Sequence, residues 1–336
     1  MSIVRTVTGD VPAADLGRVL THEHLLCLLP GPGLVGPSYD DARVDAAVTA
    51  LRGLPELGFR TVVDLSPYGD AGRDDQGANS ALLARIADRS GLNIVAGTAT
   101  YRAEFSPPWV LDASTEDLAR RFVADATTGI GSTSVRAGIL GEQPTSEGHI
   151  TEHERRGLRA AARAHHATGL AINTHTTHGT MALEQIDLLT EQGVPVERVV
   201  IGHMDNHPDL DYVRRVLDHG VTVGFDSIGK QHWDVRRPVP TDHPDGRQTK
   251  AAITQSDQTR ARHLAALVAE GYAGQIVLSQ ALAGGQAWQN PAPHGRHGYA
   301  YLARVFLPLL TSYGVSDHAM DAMLRANPAR LLALTP

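Results

Sequence analysis

Cysteine and lysine are both scarce in this sequence of 336 residues. The one cysteine, Cys27, excludes an intramolecular disulfide and a zinc site built from several thiolates, so His, Asp or Glu would have to hold any metal ion. The only lysines among the 30 basic residues are Lys230 and Lys250. No apolar run approaches the roughly 20 residues that span a bilayer, which excludes a membrane-spanning helix.

Neither the first residues nor the net charge indicates export or a nucleic-acid partner. The opening MSIVRTVTGDVP lacks the basic flank and hydrophobic core of a signal peptide, which favours a cytoplasmic location. The formal net charge is -7, and no basic stripe is present to neutralise phosphates. We therefore expect a cytoplasmic protein that acts on a small-molecule substrate, with no nucleic acid and no membrane as partner.

Eight short β-branched segments alternate with longer amphipathic or alanine-rich segments, which is typical of repeated βα units. The predicted strands span residues 17–22, 60–66, 93–100, 135–142, 170–176, 198–205, 221–227 and 275–281. This pattern predicts an α/β fold, a (β/α)8 TIM barrel forming a single domain over residues 1–336. A doubly wound sheet fits less well because its glycine-rich phosphate turn is missing. The polar, proline-rich stretch 231–254 is predicted to be an extended loop after the seventh strand.

Histidine and glutamate recur at the ends of these predicted strands, which meet at one mouth of a barrel. A single histidine there is more often structural, but two in the pattern His-x-His point to the same side and can approach one ion. The candidate metal ligands are His22, His24, Glu142, His175 and His203. Nitrogen and oxygen donors without thiolate predict a hydrolytic zinc, manganese or iron site.

Several segments carry a family resemblance, in the same order along the chain. They are GRVLTHEHL, VRAGILGEQPTSEGHIT, INTHT, VIGHMDN, FDSIGK and MLRANPARLL. Together they resemble the phosphotriesterase family of the amidohydrolase superfamily. This resemblance implies two divalent metal ions in a (β/α)8 barrel, with zinc favoured and manganese or iron as alternatives. It implies that His22 and His24 bind the buried ion and that His175 and His203 bind the more exposed one, and it suggests a homodimer.

In many members of this family a carboxylated lysine on the fourth strand bridges the two ions. Neither lysine of this chain lies near the fourth predicted strand in the sequence, and Glu142 is the acid available there. Its place before TSEGHIT resembles the phosphotriesterase homology branch, in which a glutamate bridges the ions. The alternative, that Glu142 only caps the following turn, stays open.

On the eighth strand the sequence departs from the family, which carries an aspartate that ligates the buried ion and accepts a proton from the bridging water. This chain has Ala281 at that position, in LSQA, and no Asp or Glu between residues 271 and 316. Because a methyl group can neither ligate nor accept a proton, we expect the chain as written to be much impaired. Two explanations stay open: a substitution made to slow turnover, or a natural loss that leaves a slow enzyme or a binding protein.

Residues that follow the strands are candidates for substrate contacts. We expect Tyr101 to hydrogen-bond the substrate, Lys230 to neutralise an anionic group of the substrate and Trp288 to form one wall of the pocket. We expect His178 and Asp226 either to support the metal ligands or to contact the substrate. The predicted reaction is hydrolysis of a lactone or ester carbonyl. Amide or phosphotriester hydrolysis and metal-dependent binding without turnover are the alternatives.

Overall fold

The fold is taken from a computed structural model that describes residues 2–29, 37–230, 233–237, 252–283 and 297–334. Its strands are β1 (Ile3–Thr6), β2 (Gly9–Pro12), β3 (Arg18–Glu23), β4 (Phe59–Asp64), β5 (Asn93–Thr98), β6 (Ala137–Thr145), β7 (Ile172–Thr176), β8 (Val199–Gly202), β9 (Thr222–Phe225), β10 (Val235–Arg237), β11 (Ala252–Thr254) and β12 (Ile276–Leu278). Eight of them form one parallel sheet in the order β12, β9, β8, β7, β6, β5, β4 and β3.

The two ends of this sheet meet, so that the last strand lies beside the first. The backbone N–H of His22 donates to Ser279 Oγ at 2.9 Å, and the N–H of Ala281 donates to the His22 carbonyl at 2.9 Å. Residues at the end of β12 are thereby joined to β3. The predicted (β/α)8 barrel is confirmed.

Helices connect successive barrel strands, and the last three helices follow β12. They are α1 (Asp40–Leu51), α2 (Ala81–Ser90), α3 (Pro108–Asp112), α4 (Thr115–Thr127), α5 (Glu152–Thr168), α6 (Ala182–Glu191), α7 (Leu210–Asp218), α8 (Asp257–Ala269), α9 (Leu307–Ser312), α10 (Asp317–Asp321) and α11 (Asn327–Leu332). Local chemistry sets the ends of α5: Thr151 and Glu154 form a capping box at its start, and Gly169 ends it with φ of 72°. Within the described ranges, no helix is long and apolar enough to cross a membrane.

Each predicted barrel strand overlaps an observed one, but two features differ from the predictions. The antiparallel pair of β1 and β2 was not predicted, because the segment GDVP of β2, with Gly9 and Pro12 at its ends, has the composition of a turn. The stretch 231–254 is not only a loop, since β10 and β11 pair antiparallel at its two ends, with Val235 opposite Thr254. Both differences lie outside the parallel barrel.

The core follows from the two faces of each barrel strand. In β3, Leu20 belongs to the large apolar cluster shared with the helices, whereas Val19 belongs to a smaller cluster with Val63, Val95 and Ile139 from neighbouring strands. Parallel strands buried on both faces read as nearly continuous apolar runs. The polar residues that interrupt these runs at the carboxyl ends are therefore conspicuous.

Candidate metal centre

The five predicted ligands meet at the carboxyl ends of the barrel strands. His22 lies in β3, His24 directly follows it, Glu142 lies inside β6, His175 lies in β7 and His203 follows β8. All five side chains are buried. Because they come from four different strands, only the closure of the barrel brings them together.

Glu142 lies at the centre of this cluster. Its Oε2 atom lies 3.2 Å from His22 Nε2, 2.7 Å from His175 Nδ1 and 3.8 Å from His203 Nε2. Its Oε1 atom lies 3.5 Å from His24 Nε2. One carboxylate thus faces one nitrogen of each of the four imidazoles, and a role limited to capping the next turn does not describe its position.

The described residues contain three groups of donors that could hold an ion: one is formed by His22, His203 and Asp226, and the other two share Glu142. Of the two that share Glu142, one contains His22, His24 and Glu142, the other Glu142, His175 and His203, and within each group the donor atoms lie within 4.8 Å of one another. Around a tetrahedral zinc ion with bonds of about 2.0–2.1 Å, neighbouring donors are separated by roughly 3.3 Å, so the spacing fits after small shifts. His22 Nε2 is also buried without a hydrogen-bond partner among the described residues. Each group could hold a divalent cation.

Asp226 lies on the other side of two of these rings. His22 Nδ1 and His203 Nδ1 each lie 2.8 Å from its carboxylate, and the His203 backbone N–H donates to it at 2.8 Å. Since the Nε2 atoms of both rings face Glu142, the Nδ1 atoms are free to donate to Asp226. Carboxylates that accept a hydrogen bond from the second nitrogen of a metal-binding histidine fix its tautomer and orientation. Asp226 is therefore placed to orient the predicted ligands His22 and His203.

Two glycines leave room for this carboxylate. A Cβ atom on Gly224 would lie 2.5 Å from Asp226 Oδ2, and one on Gly202 would lie 3.3 Å from the same atom. Gly202 also faces the Thr174 carbonyl, which a Cβ atom would approach to 2.4 Å. The glycines in the segments IGH and VGFD are thus needed for packing around Asp226.

Electrostatics place three of these groups in defined protonation states. Burial disfavours charge on His22, but the carboxylates of Glu142 and Asp226 outweigh it and raise the His22 pKa to about 10. Burial lowers the pKa of His24 to about 3 against the attraction of Glu142. Burial would raise the pKa of Glu142, but the neighbouring imidazoles hold it well below its ordinary value. In the metal-free protein His24 and Glu142 are thus in the forms that bind metal, whereas His22 carries a proton that a bound cation would displace.

Glu23, between the two histidines of THEH, is a buried acid that the sequence did not single out. Its carboxylate accepts hydrogen bonds from Ser279 Oγ at 2.7 Å and from the backbone N–H groups of Gln280 and Leu282, both at 2.9 Å. Burial raises its pKa to about 7, although these donors oppose the shift. Glu23 therefore holds the segment that contains Ala281. One feature of the sequence could have identified Glu23. It lies between His22 and His24, so its side chain points to the opposite side of the strand from theirs.

Ala281 is itself buried beside the predicted ligands, through its hydrogen bond to the His22 carbonyl. Its backbone φ of 45° lies in the left-handed region, which a non-glycine residue seldom adopts. Glu23 and Ala281 together tie the end of the eighth strand to the first. The main chain at this position is held close to the centre although its side chain is a methyl group.

Two predicted substrate residues lie beside the centre. The Tyr101 hydroxyl lies 3.5 Å from His175 Nε2, and burial raises its pKa well above the ordinary value. Lys230 is distant in the sequence from β6, the fourth strand of the barrel. Even so, its ammonium group interacts electrostatically with Asp226, Glu23 and Glu142. Burial nevertheless lowers its pKa, and no hydrogen bond or ion pair joins this ammonium group to another residue of the described part of the chain.

The other two predicted substrate residues are less directly connected. His178 Nδ1 lies 3.3 Å from Glu147 Oε1 in the loops that follow β7 and β6. His178 has a φ of 54°, so it sits at a turn. Trp288 lies outside the described residues.

With this geometry in view, comparison with known proteins identifies the family. The profile of the phosphotriesterase family matches residues 2–332. The phosphotriesterase homology protein of Escherichia coli (strain K12) is 33% identical over 317 residues, which cover 94% of this chain and 97% of that protein. The chain therefore belongs to the phosphotriesterase family.

Two further relatives carry names that state an activity. The phospho-furanose lactonase of Mycoplasmopsis synoviae (strain 53) is 28% identical, covering 98% of this chain and 91% of that protein. The aryldialkylphosphatase of Saccharolobus solfataricus is 26% identical, covering 96% and 97%. Both are hydrolases, which supports a hydrolase here.

A solved structure agrees with the fold. The phosphotriesterase homology protein from Escherichia coli, complexed with phosphate in its active site, superposes with a TM-score of 0.77 at 32% identity, over 94% of this chain and 99% of that one. Family, fold and the convergence of the four histidines on Glu142 agree with one another. The predicted resemblance to the phosphotriesterase family is confirmed.

Proposed function

We propose that this protein is a binuclear metal-dependent hydrolase that cleaves the carbonyl bond of a lactone or ester. The observation that carries the proposal is that two groups of three donors share Glu142. In this proposal His22 and His24 hold one divalent ion, His175 and His203 hold the other, and Glu142 bridges them. The nitrogen and oxygen donors suit zinc, with manganese or iron as alternatives.

Metal ions in such a site lower the pKa of a bound water and polarise the oxygen of the substrate. The chain's own residues do the rest. Tyr101 keeps its proton at neutral pH, so its hydroxyl donates to the substrate oxygen beside His175. Asp226 keeps the imidazoles of His22 and His203 oriented. Ala281 cannot accept a proton, so turnover is slow.

A lactone or ester with an anionic substituent is the substrate class that we favour. The Lys230 ammonium group is partly buried beside the centre and has no partner among the described residues, so an anionic group of the substrate would neutralise it. The named relatives agree in kind, since one is a phospho-furanose lactonase and another has phosphate in its active site. His178 lies at the rim, where we place it against the substrate.

The test compares the chain as it stands with Ala281→Asp and Ala281→Asn, each loaded with zinc or manganese. The assay is a panel of lactones, esters, amides and phosphotriesters, with and without a carboxylate or phosphate group. We expect the aspartate variant to exceed the chain as it stands by about 100- to 10,000-fold in kcat/KM on a lactone or ester, because it restores a general base. The asparagine variant controls for side-chain size. Equal rates for Ala281→Asp and Ala281→Asn would contradict the proposal, and a preference for amides or phosphotriesters would correct the substrate class.

A second candidate function is metal-dependent binding of a small molecule without turnover. The methyl group of Ala281 favours it, because this side chain supplies neither a ligand nor a base at the eighth strand. Two results together would support this candidate instead. The Ala281→Asp variant would show no activity on any compound of the panel, and the chain as it stands would bind an anionic lactone only in the presence of metal.

A further inference from the structure

Arg260, on α8, is a fully buried arginine that does not touch the metal-binding cluster and yet joins the loops around it. Its Nε donates to Asp205 Oδ2 at 2.7 Å, one terminal nitrogen donates to Asp257 Oδ1 at 3.1 Å and the other to Asn206 Oδ1 at 3.0 Å. A planar guanidinium can serve three acceptors in fixed directions, which a lysine ammonium on a flexible stem cannot reproduce. The three acceptors come from two separate segments of the chain.

One arm of this network runs toward the metal ligands. The Asp205 carboxylate accepts the backbone N–H of Asp226 at 3.3 Å and that of Ser227 at 3.0 Å. These bonds fix the main chain from which the Asp226 side chain reaches His22 and His203. Arg260 is therefore linked to two predicted ligands through Asp205 and Asp226.

The other arm runs toward the substrate side. Asp257 Oδ1 accepts the backbone N–H of Gly229 at 3.0 Å, and Asp257 Oδ2 accepts the Tyr301 hydroxyl at 2.7 Å. Gly229 has a φ of 81° and directly precedes Lys230. The same guanidinium thus supports both the main chain at Asp226, directly after β9, and the turn that precedes Lys230.

We propose that Arg260 is a positioning residue for the metal centre: through Asp205 it sets the main chain at Asp226, and through Asp226 it aligns His22 and His203. This inference rests on the proposed function, because it takes the two histidines as metal ligands. It assigns a role to a residue of α8 that is linked to the predicted ligands through Asp205 and Asp226. Supporting residues of this kind typically change metal affinity by about 10- to 100-fold when they are removed.

The experiment titrates the metal-free protein with Co²⁺ and follows the visible absorption of the bound ion. The variants are Arg260→Lys and the near-isosteric Asp205→Asn, which keeps the side-chain volume if the arginine variant folds poorly. We expect both to bind Co²⁺ about 10- to 100-fold more weakly, with a shifted visible spectrum, since the imidazoles lose their fixed orientation. Circular dichroism of each metal-free variant reports whether it is folded.

A matched control is Asp125→Asn, which alters a second buried acid and arginine network. Asp125 accepts hydrogen bonds from Tyr68 and Thr98 and pairs with Arg121 at 3.2 Å, and none of these is a predicted ligand. We expect this control to melt at a lower temperature with unchanged Co²⁺ affinity and spectrum.

Asp205→Asn and Arg260→Lys could both be folded and melt at lower temperatures, yet keep the Co²⁺ affinity and spectrum of the original chain. This result would overturn the inference, because the network would then be only structural. If the original chain binds no Co²⁺ at all, the proposed function itself fails and this inference falls with it. The two failures are distinguished by the titration of the original chain.

Discussion

At the scale of single residues, the candidate centre depends on the space beside Asp226, which has no room for a further methyl group. Gly224 provides this space, since a Cβ there would lie 2.5 Å from Oδ2 and 3.1 Å from Cγ of Asp226. The colliding atoms belong to a buried carboxylate that already contacts His22 and His203. A larger residue therefore displaces the carboxylate and with it the two imidazoles.

We predict that Gly224→Ala lowers the free energy of unfolding by about 1–3 kcal/mol, because of overpacking, and weakens metal binding. Denaturant unfolding and a metal titration check both effects. Gly274→Ala is the control, because a Cβ there has no heavy atom within 4 Å. Gly224→Ala with the metal affinity of Gly274→Ala would show that Asp226 does not need this space.

Tyr101 is the residue for which the protonation state is most clearly defined. Burial and the charge of Glu142 raise its pKa well above its ordinary value of 10.0, so it donates a hydrogen bond throughout the neutral range. We predict that Tyr101→Phe, in the Ala281→Asp background, lowers kcat/KM by roughly 5- to 50-fold, the equivalent of one hydrogen bond.

The pH profile distinguishes this role from ionisation of the phenol. Because the hydroxyl stays protonated, Tyr101→Phe lowers the rate equally from pH 6 to about pH 9 and leaves the shape of the profile unchanged. A basic limb present with tyrosine and absent with phenylalanine would mean that the phenolate forms in this range.

At the scale of elements, the joint between the first and last barrel strands depends on Glu23. Its two oxygens accept three donors from the segment after β12, and an amide in its place would set an NH2 group against a backbone N–H. We predict that Glu23→Gln lowers the free energy of unfolding of the metal-free protein by about 1–3 kcal/mol.

This loss depends on pH in a defined direction. The Glu23 pKa is about 7 in the folded protein and 4.5 ordinarily, so between these values the folded state binds more protons than the unfolded one. The contribution of Glu23 to stability therefore falls as pH rises from 4.5 to 7, and the destabilisation by Glu23→Gln is smaller at pH 8 than at pH 5. Unfolding of both proteins at the two pH values checks this, and a larger loss at pH 8 would contradict it.

The elements themselves were largely predictable because the barrel strands are buried on both faces. Their β-branched runs predicted each of the eight strands, for example 60–66 against the observed Phe59–Asp64. The pairs β1 with β2 and β10 with β11 were missed, since they lie outside the barrel and lack the continuous apolar runs of its buried strands. The capping box of α5 is a local pattern, because Thr151 and Glu154 are three residues apart in the sequence.

The site was predictable only where the position on a strand decides it. The end of a strand predicts that a side chain faces the mouth, which brought His22, His24 and His203 to Glu142. Which side of an imidazole faces Asp226 depends on side-chain rotation, which no sequence spacing encodes. The bond from Arg260 to Asp205 joins residues 55 positions apart and the bond from Ser279 to Glu23 joins residues 256 positions apart, so local patterns could not reveal them.

At the scale of the whole molecule, the barrel gathers an unusual amount of charge at one end. Buried acids there include Glu23, Asp64, Glu142, Asp205 and Asp226. Arg260 compensates part of this charge, and Lys230 lies nearby. Bound cations would stabilise such a cluster further, because buried charges are tolerated only when they are paired or bind metal. The proposed function therefore depends on metal binding by the complete barrel.

The most direct test is the metal content of the protein by elemental analysis, after removal of metals, reconstitution with zinc and exhaustive dialysis. Glu142→Gln, which removes the charge of the shared carboxylate at nearly constant volume, is measured beside it, with Asp125→Asn as the buried control. We predict two zinc ions per chain for the original protein and the control, and at most one weakly held ion for Glu142→Gln. A folded original chain that retains no zinc, or a Glu142→Gln variant that retains two ions as tightly, would contradict the account.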